Sequence, residues 1–329
     1  MPLHAKLTSC CLVLANAGCQ RWSNASTSLR RGFSLSCRSN MRFVQFVNKG
    51  GGPQQLGVQL KQGGDIVAIS VINSRVPNTL KKLLEGGEEI LKKAKRIVAE
   101  GRSVIPEKDV VFLPPITKMD KLACVGLNYS GHCKEQNVEP PSNPVIFSKF
   151  PSNVIGPYDD IHLPTISDKV DWEAELAIVI GKKCKSINNH EADEYIFGYT
   201  VAQDLSARDW QKGKRNGGQF LLGKAMDNFC PLGPAVVAKE SIADVKNLAV
   251  RTYVNGQIKQ DGNTSELIFK TNDIVAYLSQ FMTLLPGDVI LTGTPGGVGF
   301  TRNPPEYLKK GDVLETEIEG IGRLKNNVL

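Results

Sequence analysis

The stretch Asp171-Trp172-Glu173-Ala174-Glu175-Leu176-Ala177-Ile178-Val179-Ile180-Gly181 constrains the chain more than any other. Its second half is an unbroken apolar run of strand length, the pattern of a buried strand. Alternate residues of a strand share a face, so Glu173 and Glu175 aim two carboxylates in one direction at the start of an apolar element. Two like charges in a partly buried place are costly unless a cation compensates them. A hard divalent cation, which takes oxygen ligands, meets that need. The competing reading is the solvent-facing end of an edge strand.

Three further segments carry candidate chemistry. In Val201-Ala202-Gln203-Asp204-Leu205-Ser206-Ala207-Arg208-Asp209-Trp210-Gln211, the spacing i, i+4, i+7 predicts Asp204, Arg208 and Gln211 on one helical face. An acid, a guanidinium and an amide so placed suit a metal and an anionic substrate; an Asp–Arg surface pair is the plainer reading. Lys224 follows the apolar run Phe220-Leu221-Leu222 and Gly223; desolvation there would lower its pKa, whereas a snorkelling strand-end lysine is the common case. In Gly126-Leu127-Asn128-Tyr129-Ser130-Gly131-His132-Cys133-Lys134-Glu135, a helix brings His132 and Glu135 together. A carboxylate beside an imidazole fixes its tautomer and raises its basicity, as a general base requires, although surface pairs share this spacing. Leu291-Thr292-Gly293-Thr294-Pro295-Gly296-Gly297-Val298-Gly299 has neither a phosphate-loop lysine nor dinucleotide spacing. It reads as a strand followed by a turn that brings backbone close to a ligand, or as a simple hairpin turn.

The rest of the body reads as mostly β. MRFVQFV and DIVAISV alternate like half-buried strands. A helix with Asn78 as N-cap carries the stripe Leu80, Leu83, Leu84, Ile90, Leu91, Ala94 and Ile97, and Gly86-Gly87 interrupts it, so two short helices are equally compatible. Pro114-Pro115 ends regular structure and suggests a boundary. Beyond it KLACVGL, PVIFSK, AELAIVIG, GPAVVA, LAVRTYVNG and DVILTGT read as strands, with helical patterns at about 190–195 and 272–282. Asn255-Gly256 is a type I′ hairpin signal. Many strands and few helices predict an α+β, mostly β fold with a β-roll or barrel-like core. The expected organisation is a leader over 1–41, a small β-rich N-terminal module over 42–117, and a catalytic, metal-binding domain over 118–329.

Charge and cysteine use sharpen the leader. The formal charge is +7, and no Asp or Glu precedes Asp65. Lys6, Arg21, Arg30, Arg31 and Arg38 account for most of the surplus, leaving +2 elsewhere. A nucleic-acid footprint on the folded body is therefore not expected. An Arg- and Ser-rich, acid-free leader has the composition of a mitochondrial transit peptide; a secretory signal ending at Ala15-Asn16-Ala17 is the rival. No apolar run is long enough for a membrane span. Cys10, Cys11, Cys19 and Cys37 lie in the leader. Cys124, Cys133, Cys184 and Cys230 lack metal-type spacing and read as buried thiols, with Cys133 the more accessible because it adjoins His132.

The ordered set GLNYSGHCKE, PVIFSK, DWEAELAIVIG, QDLSARDWQ, LLGKAMDNFCPLGP and PGDVILTGTPGGVG resembles the fumarylacetoacetate hydrolase family, its mitochondrial members in particular, over about 121–329. The resemblance implies a fumarylacetoacetase C-terminal-like β-roll, a homodimer, and Mg²⁺ or Mn²⁺ held by Glu173, Glu175 and Asp204. It also implies catalytic roles for His132, Glu135 and Lys224, and substrate contacts from Arg208, Gln211 and Thr294. Leu127 stands where relatives often carry Arg, and Phe150-Pro151-Ser152-Asn153 replaces a more usual Pro/Ser-rich loop, so substrate choice is the open variable. The short N-terminal module argues against identity with fumarylacetoacetase itself. The implied substrate is a small 2-oxo acid. Proton movement next to its keto group gives tautomerisation, loss of a β-carboxylate gives decarboxylation, and attack of water on an acyl substituent gives C–C hydrolysis. Oxaloacetate tautomerisation is the expected activity, acylpyruvate hydrolysis or oxaloacetate decarboxylation the alternatives, and an inactive ligand-binding scaffold the non-enzymatic one.

Overall fold

The computed structural model describes residues 40–212 and 216–329; the leader expected over 1–41 lies almost wholly outside them. The described residues form one compact unit. The N-terminal segment contributes β1 (Arg42–Asn48), β2 (Gln55–Gln59), β3 (Ile66–Val67), α1 (Ile69–Ile72), α2 (Leu80–Glu85), α3 (Gly87–Glu100), β4 (Val104–Ile105) and β5 (Val110–Leu113). Next come β6 (Leu122–Gly126), α4 (Ser130–Glu135), β7 (Val145–Lys149), β8 (Val154–Ile155), β9 (Val170–Asp171), β10 (Ala174–Ile180), β11 (Ile196–Gln203), β12 (Ser206–Ala207), α5 (Arg208–Gln211), α6 (Leu221–Lys224) and β13 (Cys230–Ala238). The chain closes with β14 (Ala249–Val254), β15 (Gln257–Asn263), α7 (Thr271–Phe281), β16 (Val289–Leu291), β17 (Val313–Ile318) and β18 (Gly322–Asn327).

The long sheet runs β4-β3-β2-β1-β13-β11-β10-β16-β6-β7, with β5 on β1 and β8 on β13. Most pairings are antiparallel; β16 joins β6 in parallel. A second sheet, β15-β14-β17-β18, faces part of the first. The architecture is the expected α+β, mostly β one. Pairing of β1 with β13 carries the sheet across the sequence boundary near 117, so the N-terminal segment extends the scaffold of the later strands.

β10 lies at the centre because both its faces are apolar. Ala177 and Val179 pack with Leu80, Leu83 and Ile97 from α2 and α3. Leu176, Ile178 and Ile180 pack on the other side with Ile274, Val275 and Leu278 of α7 and with Val250, Ile318 and Leu324 of the second sheet. A strand buried on both faces has no polar alternation, which is why its sequence reads as one continuous run.

Several local expectations need correction. MRFVQFV is not half-buried: Phe43 enters one core and Val44 and Phe46 another, while Arg42 and Gln45 are buried too. Arg42 is tolerated there because its guanidinium donates to the carbonyls of Gly320 and Ile321. In DIVAISV only Ile66–Val67 is strand, and Ile69–Ile72 turns into α1. The stripe after Asn78 is two helices, split where Gly87 takes φ +72°. The N-cap is Thr79, whose hydroxyl accepts from the Lys82 N–H, and not Asn78. The Asn255-Gly256 hairpin forms as expected, with φ +52° and +75°.

Candidate metal and acid–base site

Glu173 sits just before β10, Glu175 within it, and Asp204 just past β11, its antiparallel neighbour. The Asp204 N–H donates to the Glu173 carbonyl at 2.9 Å, which sets the two acids side by side. One carboxylate oxygen from each of the three lies within 4.8 Å of the others, and all three residues are buried. The expected helical face is wrong in its geometry. Asp204 belongs to the connection leaving β11, and only Arg208–Gln211 is helical. Ser206–Ala207 pairs with Val170–Asp171, so ladder hydrogen bonds hold the backbone extended between the acid and the arginine.

Buried cations surround the trio. Lys224 Nζ donates to Glu173 Oε2 and to Asp204 Oδ2 at 2.6 Å each. Lys149 Nζ donates to Asp204 Oδ1 at 2.7 Å and to the Leu205 carbonyl. Arg208 Nη2 lies 2.7 Å from Glu173 Oε1, and its Nε donates to Asp171 Oδ2 at 2.8 Å. Asp171 is held in turn by the N–H groups of Gly299 and Phe300.

Charge and burial compete throughout this cluster. Burial alone would lift Glu173, but Lys224 and Arg208 outweigh it and hold its carboxyl below the usual range. Glu175 goes the other way: burial, then Asp204 and Glu173, push it well above. Burial alone would lower Lys224, as its sequence context suggested, but Asp204 and Glu173 outweigh burial and raise it. The trio's donor set fits a hard divalent ion, because Glu175 is a buried carboxylate with no ion-pair partner among the described residues.

Above the trio opens a cavity of about 200 Å³. Glu173, Glu175, Lys224, Arg208, Gln211 and Thr294 line it, with His132 on the wall formed by α4. Asp204 lies behind this surface. Glu135 does not line the cavity; its Oε1 pairs with His132 Nδ1 at 2.6 Å. Thr294 Oγ1 accepts from Gln260 Nε2 at 2.8 Å. All nine sequence candidates therefore lie in or directly behind one cleft.

The glycine-rich turn after β16 ties these parts together. The Gly293 N–H donates to Glu175 Oε2 at 2.6 Å, and the Gly297 N–H donates to Glu135 Oε2 at 2.7 Å. Both glycines take positive φ, +99° and +100°, which admits the backbone this close. Leu127 takes φ +53° at the cavity wall, an uncommon conformation for a leucine.

Sequence reasoning missed four residues. Lys149 ends PVIFSK, where only strand character was legible. Asp171 opens DWEAE and was passed over for its two neighbours. Gln136 Nε2 donates to His132 Nε2 at 2.8 Å. Lys212 donates to Gln136 Oε1. A lysine closing an apolar strand was a usable signal for the first, alternation with Glu173 for Asp171, and the one-turn spacing from His132 for Gln136; nothing local marks Lys212. Cys133, expected to be accessible, is buried and donates its thiol to the Leu127 carbonyl at 3.4 Å. Cys124, Cys184 and Cys230 are buried and free as expected.

Known proteins resemble this arrangement over most of the chain. Human "Oxaloacetate tautomerase FAHD2A, mitochondrial" is 51% identical over 290 residues, covering 88% of this chain and 92% of that protein. The solved structure of a putative HpcE protein from Mycobacterium smegmatis superposes with a TM-score of 0.77 at 33% identity, over 88% of this chain and 99% of that one. A fumarylacetoacetate hydrolase from Exiguobacterium antarcticum gives 0.71 at 33% identity, over 88% and 99%. The family described as fumarylacetoacetate (FAA) hydrolase C-terminal matches residues 121–329, and with the buried acidic trio beneath its cleft this chain belongs to the fumarylacetoacetate hydrolase family.

Proposed function

We propose that the chain is a divalent-metal-dependent oxaloacetate keto–enol tautomerase of mitochondria. The observation that carries this reading is Glu173, Glu175 and Asp204 gathered under a cleft whose wall bears a His132–Glu135 pair. Relatives about half identical to it bear that activity and that compartment in their names. The acid-free, Arg- and Ser-rich leader has the composition such an address needs.

Mg²⁺ or Mn²⁺ held by the trio would supply Lewis acidity toward a bound 2-oxo acid. The protein's own groups then divide the remaining work. Glu135 accepts from His132 Nδ1–H, so Nε2 carries the lone pair, and it serves as the base once substrate takes the place of the Gln136 amide donor there. His132 Nε2 takes a proton from one end of the keto–enol unit and returns it at the other. The ammonium of Lys224 lies at the cavity wall, where it offsets negative charge growing on the substrate oxygen. Arg208 acts mainly as a brace, since its nitrogens face Asp171, Gln211 and Glu173. Gln211 and Thr294 bound the space beside it and are the proposed substrate contacts, and the family's homodimer is the proposed assembly.

The test is the decay of enol-oxaloacetate absorbance. Purified protein with Mg²⁺ is expected to accelerate it over the metal alone, and chelation is expected to remove the acceleration. No acceleration overturns the tautomerase reading. Release of pyruvate plus a carboxylic acid from acylpyruvates would place the chain with hydrolases instead.

A further inference from the structure

Four cationic or basic side chains line the cleft, and three are committed to carboxylates. Lys224 pairs with Glu173 and Asp204, Arg208 with Asp171 and Glu173, and His132 with Glu135. Lys212 differs. Its described partners are the Gln136 side-chain oxygen and the face of Phe300, 3.8 Å from the ring centroid. No described carboxylate lies within ion-pair distance of it. Lys212 stands at the exposed rim, away from the buried acids on the cleft floor.

From this placement we infer that Lys212 receives the far carboxylate of a dicarboxylic 2-oxo acid whose near end faces the acidic trio. The inference rests on the proposed function and deepens it, because it selects substrates carrying a second negative charge. A lysine bears three donors; one is used on Gln136, and an incoming carboxylate gives another a charged acceptor. Loss of water around the ammonium, with Arg208 nearby, pushes Lys212 down to about 8. That is the expected state of a cation awaiting an anion, and a bound carboxylate would reverse the shift.

The same contact orients the acid–base pair. An ammonium only donates, so the Gln136 atom facing Lys212 is its oxygen, and its NH₂ group faces His132 Nε2. His132 Nε2 is therefore an acceptor and Nδ1 carries the proton toward Glu135.

The experiment compares the wild type with Lys212→Gln and Lys212→Arg, all loaded with Mg²⁺. Calorimetry measures binding of oxaloacetate, which has the far carboxylate, and of oxalate, which has only the near, chelating unit. Lys212→Gln is expected to weaken oxaloacetate about tenfold, leave oxalate within twofold, and be largely rescued by Lys212→Arg. Equal weakening of both ligands would reduce Lys212 to a prop for Gln136, and no weakening of either would make it a bystander; both results overturn the inference. Turnover is read separately. Selective loss of oxaloacetate affinity without wild-type tautomerisation would sink the proposed function and leave the carboxylate site standing. Tautomerisation with unselective binding would do the reverse.

Discussion

Lys224 stands between Glu173 Oε2 and Asp204 Oδ2, where a cation shared by those two acids would also draw its ligands. Ammonium and metal therefore compete for the same oxygens. Replacing Lys224 by Met is expected to tighten Mg²⁺ binding several-fold in a calorimetric titration while lowering turnover by about 100-fold or more. Glu173→Gln should behave differently. It weakens the metal and leaves Arg208 and Lys224 each short of a partner, so both metal affinity and melting temperature fall. At this scale Glu173 with Glu175 and the His132–Glu135 pair were readable from their close spacing in sequence, whereas Asp204 joined the two glutamates only through the family resemblance, because pairing of β10 with β11 is what brings it to them. Lys149 was not readable, because its partner Asp204 comes from a distant segment that no local pattern records; Gln136 was overlooked although it follows His132 by one helical turn.

The elements that carry the site were legible in kind and less so in extent. The apolar run of β10 and the Asn255-Gly256 turn announced themselves, since burial and positive φ leave marks in composition. The imagined helix from Asp204 to Gln211 did not form over its first half; pairing of β12 with β9 overrides helical spacing. The glycine-rich turn after β16 offers a sharp test. A Cβ added at Gly297 would stand 2.4 Å from the Lys259 carbonyl oxygen, at a φ of +100° that side chains avoid. Gly297→Ala is expected to displace the N–H that holds Glu135 and to cut kcat about tenfold or more, with Mg²⁺ affinity less affected than by Glu173→Gln. Thr79→Ala makes the contrast: loss of the α2 cap costs about 1 kcal/mol, read as a lower melting temperature, with kcat unchanged.

Across the whole molecule, metal binding and stability are linked through Glu175. Its carboxyl is raised in the folded metal-free protein, so between the ordinary carboxylate range and that raised value the folded state holds more protons than the unfolded one. Metal-free stability should accordingly rise as pH falls through this window. A divalent ion needs the ionised form, so its stabilisation, about 2.7 kcal/mol at a hundredfold excess over Kd, should be largest at high pH and shrink on acidification. Melting curves with Mg²⁺ and with chelator, from pH 8 downward, measure the difference directly. The mostly β scaffold was visible beforehand, yet the seamless joining of the first strand to Cys230–Ala238 was not, because register between distant strands has no signature in one chain. One short stretch of main chain grips both a metal-side acid, through Gly293, and the base's partner, through Gly297. Any drift in that stretch is felt by both halves of the chemistry at once, so it has little freedom to diverge.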